Sequence, residues 1–258
     1  MEERGRLDRG DGVELAWIRS AGRGPQIVFC PGFRSDMRGE KATDLARFCA
    51  RRGRAFLRFD YSGHGESDGA FRNGSIGRWT EDALTVIDQK TEGTLLLVGS
   101  SMGGWIALLL TMRRPERVAG LIGIAAAPDF TETLMWQAMT EAEHARLMAE
   151  GSLTVENAGD SPLVITRLLI EEGRHHLVLG REIPISCPVR LLHGQRDADV
   201  PWETALRTAE QMAGADVRVT LIKDGEHRLS RPQDLALLRA TLADLLGEDG
   251  CGHDQGLH

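Results

Sequence analysis

The chain has 258 residues, a formal net charge of -7 at neutral pH, 41% hydrophobic and 27% charged side chains, proportions that exclude a disordered or fibrous chain. Its length fits one large α/β domain. The basic residues are scattered arginines plus Lys41, Lys90 and Lys223, so no electropositive stripe for nucleic acid forms.

In chain order, short apolar runs rich in β-branched residues alternate with helical patterns, as in stacked βαβ units around a mostly parallel sheet. Residues 12–20 alternate like a half-exposed strand, and 26–30 read as a buried one. Residues 41–52 follow as an amphipathic helix with Leu45, Phe48 and Cys49 inward. The pattern predicts a strand over 55–60 and a helix over 76–90 with Trp79, Ala83, Val86 and Ile87 inward. Residues 94–99 are apolar enough for the sheet centre. A helix over 101–113, ended by Pro115, leads to a buried strand over 118–126.

Between residues 129 and 180 the rhythm breaks: helical stretches are expected at 134–149 and 163–172, with no core strand, as in a cap insertion. The α/β rhythm resumes with a strand at 189–193, a helix at 202–213, a strand at 217–222 and a closing helix at 232–246. The expected organisation is a core in two parts, 1–128 and 181–247, with a cap over 129–180 and a polar, flexible tail over 248–258.

No apolar run approaches the roughly 20 residues of a membrane span, and the charged start of the chain lacks the apolar core of a secretory signal, so a cytoplasmic location is expected. Cys30, Cys49, Cys187 and Cys251 have no paired metal spacing; free thiols are expected, with Cys30 and Cys187 in the core.

Directly after the most apolar predicted strand stands Gly99-Ser100-Ser101-Met102-Gly103-Gly104, where only Ser101 has glycine two before and two after it. G-x-S-x-G suits a serine on a sharp strand-to-helix turn, because the turn is strained and neighbouring chains pass too close for a Cβ. The alternative is a serine that merely caps the helix.

A serine nucleophile needs a histidine base, and that histidine needs a carboxylate to hold its tautomer. Of eight histidines, only His227 lies in a loop after the last predicted core strand, where a parallel-sheet serine site places its base. His144, His175, His176, His253 and His258 read as surface residues, and His64 and His193 as loop-packing residues. For the acid, the turn after the strand at 189–193 offers Asp197 and Asp199; Asp197, three residues after Gly194, is preferred, with Asp199 as a helix cap. Oxyanion donors are expected in the amide of Met102 and, since Pro31 lacks an N–H, that of Phe33; a plain turn at Pro31-Gly32 is the alternative. Trp105 and Trp136 are further candidates for contacting substrate.

These pieces resemble the α/β-hydrolase superfamily from Gly12 to Leu246. The stretches Pro31 to Met37 with Lys41-Ala42, Arg58 to Ser67, Gly99 to Trp105 and His193-Gly194 through Pro201-Trp202 look like bacterial relatives of a mitochondrial abhydrolase-domain family of palmitoyl-protein thioesterases that also cleave acyl glucuronides. The resemblance implies a triad of Ser101, Asp197 and His227, with Phe33 and Met102 as oxyanion donors. It also implies an acyl ester or thioester substrate, S-acylated protein included, and no metal or other cofactor. A serine peptidase or C–C bond hydrolase on the same fold, and a non-catalytic ligand-binding protein, are the alternatives.

Overall fold

The computed structural model describes residues 2–156 and 162–248. Its first half runs β1 (Glu2–Asp8), β2 (Glu14–Ser20), β3 (Arg23–Cys30), α1 (Glu40–Arg51), β4 (Arg54–Phe59), α2 (Ile76–Lys90), β5 (Leu95–Ser100), α3 (Met102–Arg113) and β6 (Val118–Ile124). The segment that follows holds α4 (Glu141–Glu150), β7 (Ser152–Val155), β8 (Leu163–Thr166) and α5 (Arg167–Gly173). The chain then rejoins the sheet with β9 (Val189–Gly194), α6 (Glu203–Gln211), β10 (Val217–Ile222) and α7 (Pro232–Leu245).

Eight strands form one sheet in the order β1-β2-β4-β3-β5-β6-β9-β10. β1 and β2 pair antiparallel, as do β2 and β4; every other neighbour is parallel. Every residue of β5 is buried, as its unbroken apolarity requires of a central strand covered on both faces. One face packs on α2 and α3 through Trp79, Ile87, Trp105 and Ile106, the other on α1 and α7 through Leu45, Phe48, Leu238 and Leu242. Helix α3 is apolar on all sides and almost wholly buried.

Register brings the functional loops together. Cys30, Gly99 and Gly123 lie side by side on β3, β5 and β6, and Gly123 is level with Leu191 on β9. The turns that leave β3, β5 and β9 therefore emerge along one sheet edge, where parallel sheets bind ligands.

Two expectations need correction. β1 gave no signal because its side chains are almost all charged and only Leu7 is buried; it is an edge strand held by backbone pairing with β2. The insertion is not purely helical: Leu163–Thr166, expected as helix, is β8, paired antiparallel with β7. Its β-branched run has one buried side, on which Leu153 and Ile165 join Leu147 and Ile170 in a small separate core. The first predicted helix begins later, at Glu141, after a π-helical turn over Thr131–Trp136 and a capping box between Thr140 and Glu143. Cys30 and Cys49 are buried free thiols, Cys187 is half-buried, and the expected tail beyond residue 248, with Cys251, lies outside the described residues.

The insertion is tied to the core by carboxylates. Asp129 leaves the sheet at φ 60° and accepts the amides of Val178 and Leu179, each at 2.8 Å, so the two ends of the insertion are clamped to each other. Glu172 accepts the Gly77 amide at the start of α2 and pairs with His176. Asp129→Ala strands two amides and places a less tolerant residue at positive φ, so it should cost about 2–4 kcal/mol in chemical denaturation, with Asp129→Asn losing less.

Candidate active site

Ser101 sits between β5 and α3 at φ 55°, ψ -121°, a conformation that a non-glycine residue adopts only when its surroundings force it. The forcing is visible in the flanking glycines. A Cβ on Gly99 would lie 2.2 Å from the Gly103 carbonyl oxygen, and one on Gly103 would lie 2.0 Å from that of Cys30. Ser101 makes no side-chain capping bond to α3, so the simple helix-cap alternative does not describe it.

Its hydroxyl instead lies 3.1 Å from His227 Nε2, and His227 Nδ1 lies 2.8 Å from Asp197 Oδ2. Three loops from three parts of the chain thus form one relay. Nδ1 faces a carboxylate and therefore carries the proton, which leaves Nε2 as the acceptor for the serine hydroxyl. The Asp197 side chain is fully buried, and Oδ1 accepts the amides of Asp199 at 2.9 Å and Val200 at 2.8 Å. Burial pushes its pKa up, but hydrogen bonds from His193, His227 and the Val200 amide outweigh that and hold the carboxyl well below the usual carboxylate range. Asp199 is exposed and outside the relay.

The loop after β3 lies against the serine. A Cβ on Gly32 would come within 3.3 Å of Ser101 Cβ, and the Met102 amide opens α3. The Arg34 amide donates to His64 Nε2 at 3.3 Å, and His64 is buried among the rings of Tyr61, Phe71 and Trp79.

A cavity of about 700 Å³ opens over Ser101 and His227. Phe33, Phe130, Leu134, Met135, Val155 and Leu163 form its apolar wall, most of them from the insertion. Its polar wall includes Asp36, Lys41, Asp199 and Arg228. Lys41 Nζ donates to the Arg228 carbonyl, next to His227, and burial draws the ammonium down to about 8 against the pull of Glu40.

Neither tryptophan lines this cavity. Trp105 is completely buried under the sheet and donates its indole N–H to the His176 carbonyl at 3.0 Å, because α3 runs inward from the elbow. Trp136 is half-buried against the small core of the insertion, stacked on His144 and beneath Arg174. His193, expected to pack a loop, does so, with Nε2 3.0 Å from the Val200 carbonyl, and the same nitrogen lies 3.1 Å from Asp197 Oδ2. Its spacing of four residues from Asp197 was the available signal. Asp197, Asp199 and His227 present oxygen and nitrogen atoms within 4.8 Å of one another, yet both Asp197 oxygens already have donors, which is unsuited to a cation.

The parallel sheet, its elbow and the insertion over its edge make this an α/β-hydrolase fold. A family model described as serine aminopeptidase, S33, matches residues 24–167. The palmitoyl-protein thioesterase ABHD10 of rat mitochondria is 41% identical over 241 residues, covering 93% of this chain and 81% of the rat protein. The structure of mouse α/β-hydrolase domain-containing protein 10 superposes with a TM-score of 0.89 at 39% identity, over 95% of this chain and 99% of the mouse one. A putative hydrolase from Agrobacterium vitis S4 also gives 0.89 at 39% identity, over 95% and 98% of the two chains. The chain belongs to the α/β-hydrolase family that contains the ABHD10 proteins.

The relay distinguishes the two aspartates. Asp197→Asn should keep the fold and lower kcat by up to about four orders of magnitude, because an amide supports the wrong imidazole tautomer, whereas Asp199→Asn should be mild. Steady-state kinetics with circular dichroism on both variants measures the ranking.

Proposed function

We propose that the protein is a cofactor-independent serine hydrolase that cleaves acyl thioesters and esters through an acyl-enzyme. The observation that carries this reading is the Ser101–His227–Asp197 relay, at 3.1 and 2.8 Å, under a cavity with one apolar wall. In this mechanism Ser101 Oγ attacks the acyl carbon as its proton passes to His227 Nε2, and the amides of Phe33 and Met102 receive the oxyanion, each worth about 3–4 kcal/mol. Collapse of the tetrahedral intermediate expels the thiol or alcohol, which takes the proton from His227. Water then repeats the sequence on the acyl-enzyme and restores Ser101.

The apolar wall supports an acyl chain as the group held against the insertion, and the names of the relatives, thioesterases in rat and other mammals, support a thioester among the substrates. S-acylated protein is the corresponding macromolecular substrate. The peptidase alternative rests on the description of the matching family model.

Ser101→Ala should abolish labelling by a fluorophosphonate and the burst of p-nitrophenol from a short-chain ester, while Ser100→Ala keeps both; labelling that survives Ser101→Ala overturns the nucleophile. Aminoacyl anilides cleaved in preference to esters would replace this reading with a peptidase.

An apolar pocket contributes roughly 0.8 kcal/mol per buried methylene, so kcat/KM for C2 to C16 acyl thioesters should rise about three- to fourfold per methylene until the pocket is full. Met135→Ala should change that profile and Trp136→Ala, outside the cavity, should not. A flat wild-type profile would remove the long-acyl substrate.

A further inference from the structure

His193 is the fifth residue of β9, level with Leu221 on β10, and its side chain is almost wholly excluded from solvent. An imidazole in such a place is costly unless its nitrogens are hydrogen-bonded. Nε2 lies 3.0 Å from the Val200 carbonyl and 3.1 Å from Asp197 Oδ2. A carbonyl only accepts, so Nε2 carries a proton, donated to Val200 with Asp197 Oδ2 close beside it. Nδ1 is buried and has no hydrogen-bond partner among the described residues. A proton there would be a stranded donor, whereas the one on Nε2 has an acceptor.

Asp197 is thereby fully surrounded. Oδ1 accepts two backbone amides, from Asp199 and Val200, while Oδ2 is bonded to His227 Nδ1 on the solvent side and lies 3.1 Å from His193 Nε2 on the inner side. Without His193, Oδ2 would be held only by the residue it is meant to orient.

We propose that His193 is a positioning residue for the acid: through its Nε2–H it fixes the rotamer of Asp197 and shares Oδ2 with His227, setting how strongly that carboxylate can draw on the His227 ring. This rests on the serine-hydrolase reading above. It has two separable consequences. Losing the donor loosens the acid, which lowers kcat with little effect on KM, because His193 touches no substrate. It also leaves Oδ2 entirely to His227, so the imidazolium is better stabilised and the acidic limb of kcat/KM moves to higher pH. The other titratable groups around the relay are Asp199, Glu226 and Arg228 beside it in sequence, and Lys41 bound to the Arg228 carbonyl. All stay in place when His193 is replaced.

The experiment compares wild type, His193→Leu and His193→Gln, whose amide N–H can reach the position of Nε2, using p-nitrophenyl ester hydrolysis between pH 5 and 9 and thermal melts. Ser101→Ala and Asp197→Asn are run beside them. The expected result for His193→Leu is a kcat about ten- to a hundredfold lower at constant KM. Its acidic limb should rise by roughly half a pH unit or more, the size of one hydrogen bond. His193→Gln should recover most of the rate and the wild-type limb. An unmoved limb in a folded His193→Leu, or a His193→Gln no better than His193→Leu at equal melting temperature, means that His193 only packs and overturns the proposal. If His193→Leu does not fold, His193→Gln decides alone: a wild-type limb and rate support positioning, and a lost rate in a folded protein overturns it. Activity that survives in Ser101→Ala would instead overturn the serine-hydrolase reading, and the role of His193 with it.

Discussion

The arrangement at the sheet edge depends on one steric constraint: Ser101 is held at φ 55° by backbone passing where side chains cannot fit. Gly99 and Gly103 face each other across the turn, and Gly103 also lies against the carbonyls of Cys30 and Pro31. The same close approach that strains the serine therefore fixes the position of the loop after β3. Strain of this kind costs on the order of 1–3 kcal/mol and persists only where packing over-determines it. Here the packing comes from β5, every residue of which is buried, and from the almost wholly buried α3.

Rigidity at the serine would be of little use if the other two members of the relay could drift. His227 hangs on an irregular loop, and that loop is fixed from several directions. A Cβ on Gly194 would fall 2.3 Å from the Gly225 carbonyl oxygen, which places the turn after β9 directly against the turn after β10. The Arg196 amide donates to Gly225 at 2.8 Å, and Lys41 reaches across from α1 to the Arg228 carbonyl. The acid and the base are thus carried on two turns bonded to each other, and their separation follows from backbone contacts rather than from side-chain reach.

Much of this was legible in the sequence, for reasons that differ by element. The central strands and α3 declare themselves because burial on all sides leaves no polar periodicity to confuse. Ser101 is legible because strain demands glycines at fixed offsets. The loops that bear Asp197 and His227 are legible because they follow predicted strands, and the structure brings His227 to the serine and Asp197 to His227 at hydrogen-bond distance. β1 was not legible, since an edge strand paired through its backbone needs no apolar face. The hairpin of β7 and β8 was hidden because Leu163-Val164-Ile165 also fits a helix face, and only its partner across the chain selects the strand. His193 was legible only as packing, as a histidine in an apolar run is, and Trp105 misled because a tryptophan beside the elbow looks like part of the site.

The division between core and insertion has a consequence for how specificity is built. The relay and its expected oxyanion donors are carried on turns of the main sheet, whereas Phe130, Leu134, Met135, Val155 and Leu163 come from the insertion. That insertion has its own small core of Leu147, Leu153, Ile165 and Ile170; Asp129 closes its two ends together and Glu172 joins it to α2. Phe130, Leu134 and Met135 nevertheless pack on the main core, Phe130 directly against Trp105, so this part of the cavity wall is continuous with the packing beneath the turn at Ser101. Asp36, Lys41 and Arg228 line the same cavity from core loops and α1. On the proposed reading the acyl chain lies against the apolar side chains of the insertion and the leaving group against these polar ones. Acyl length and leaving-group preference would then be set by different segments of the chain.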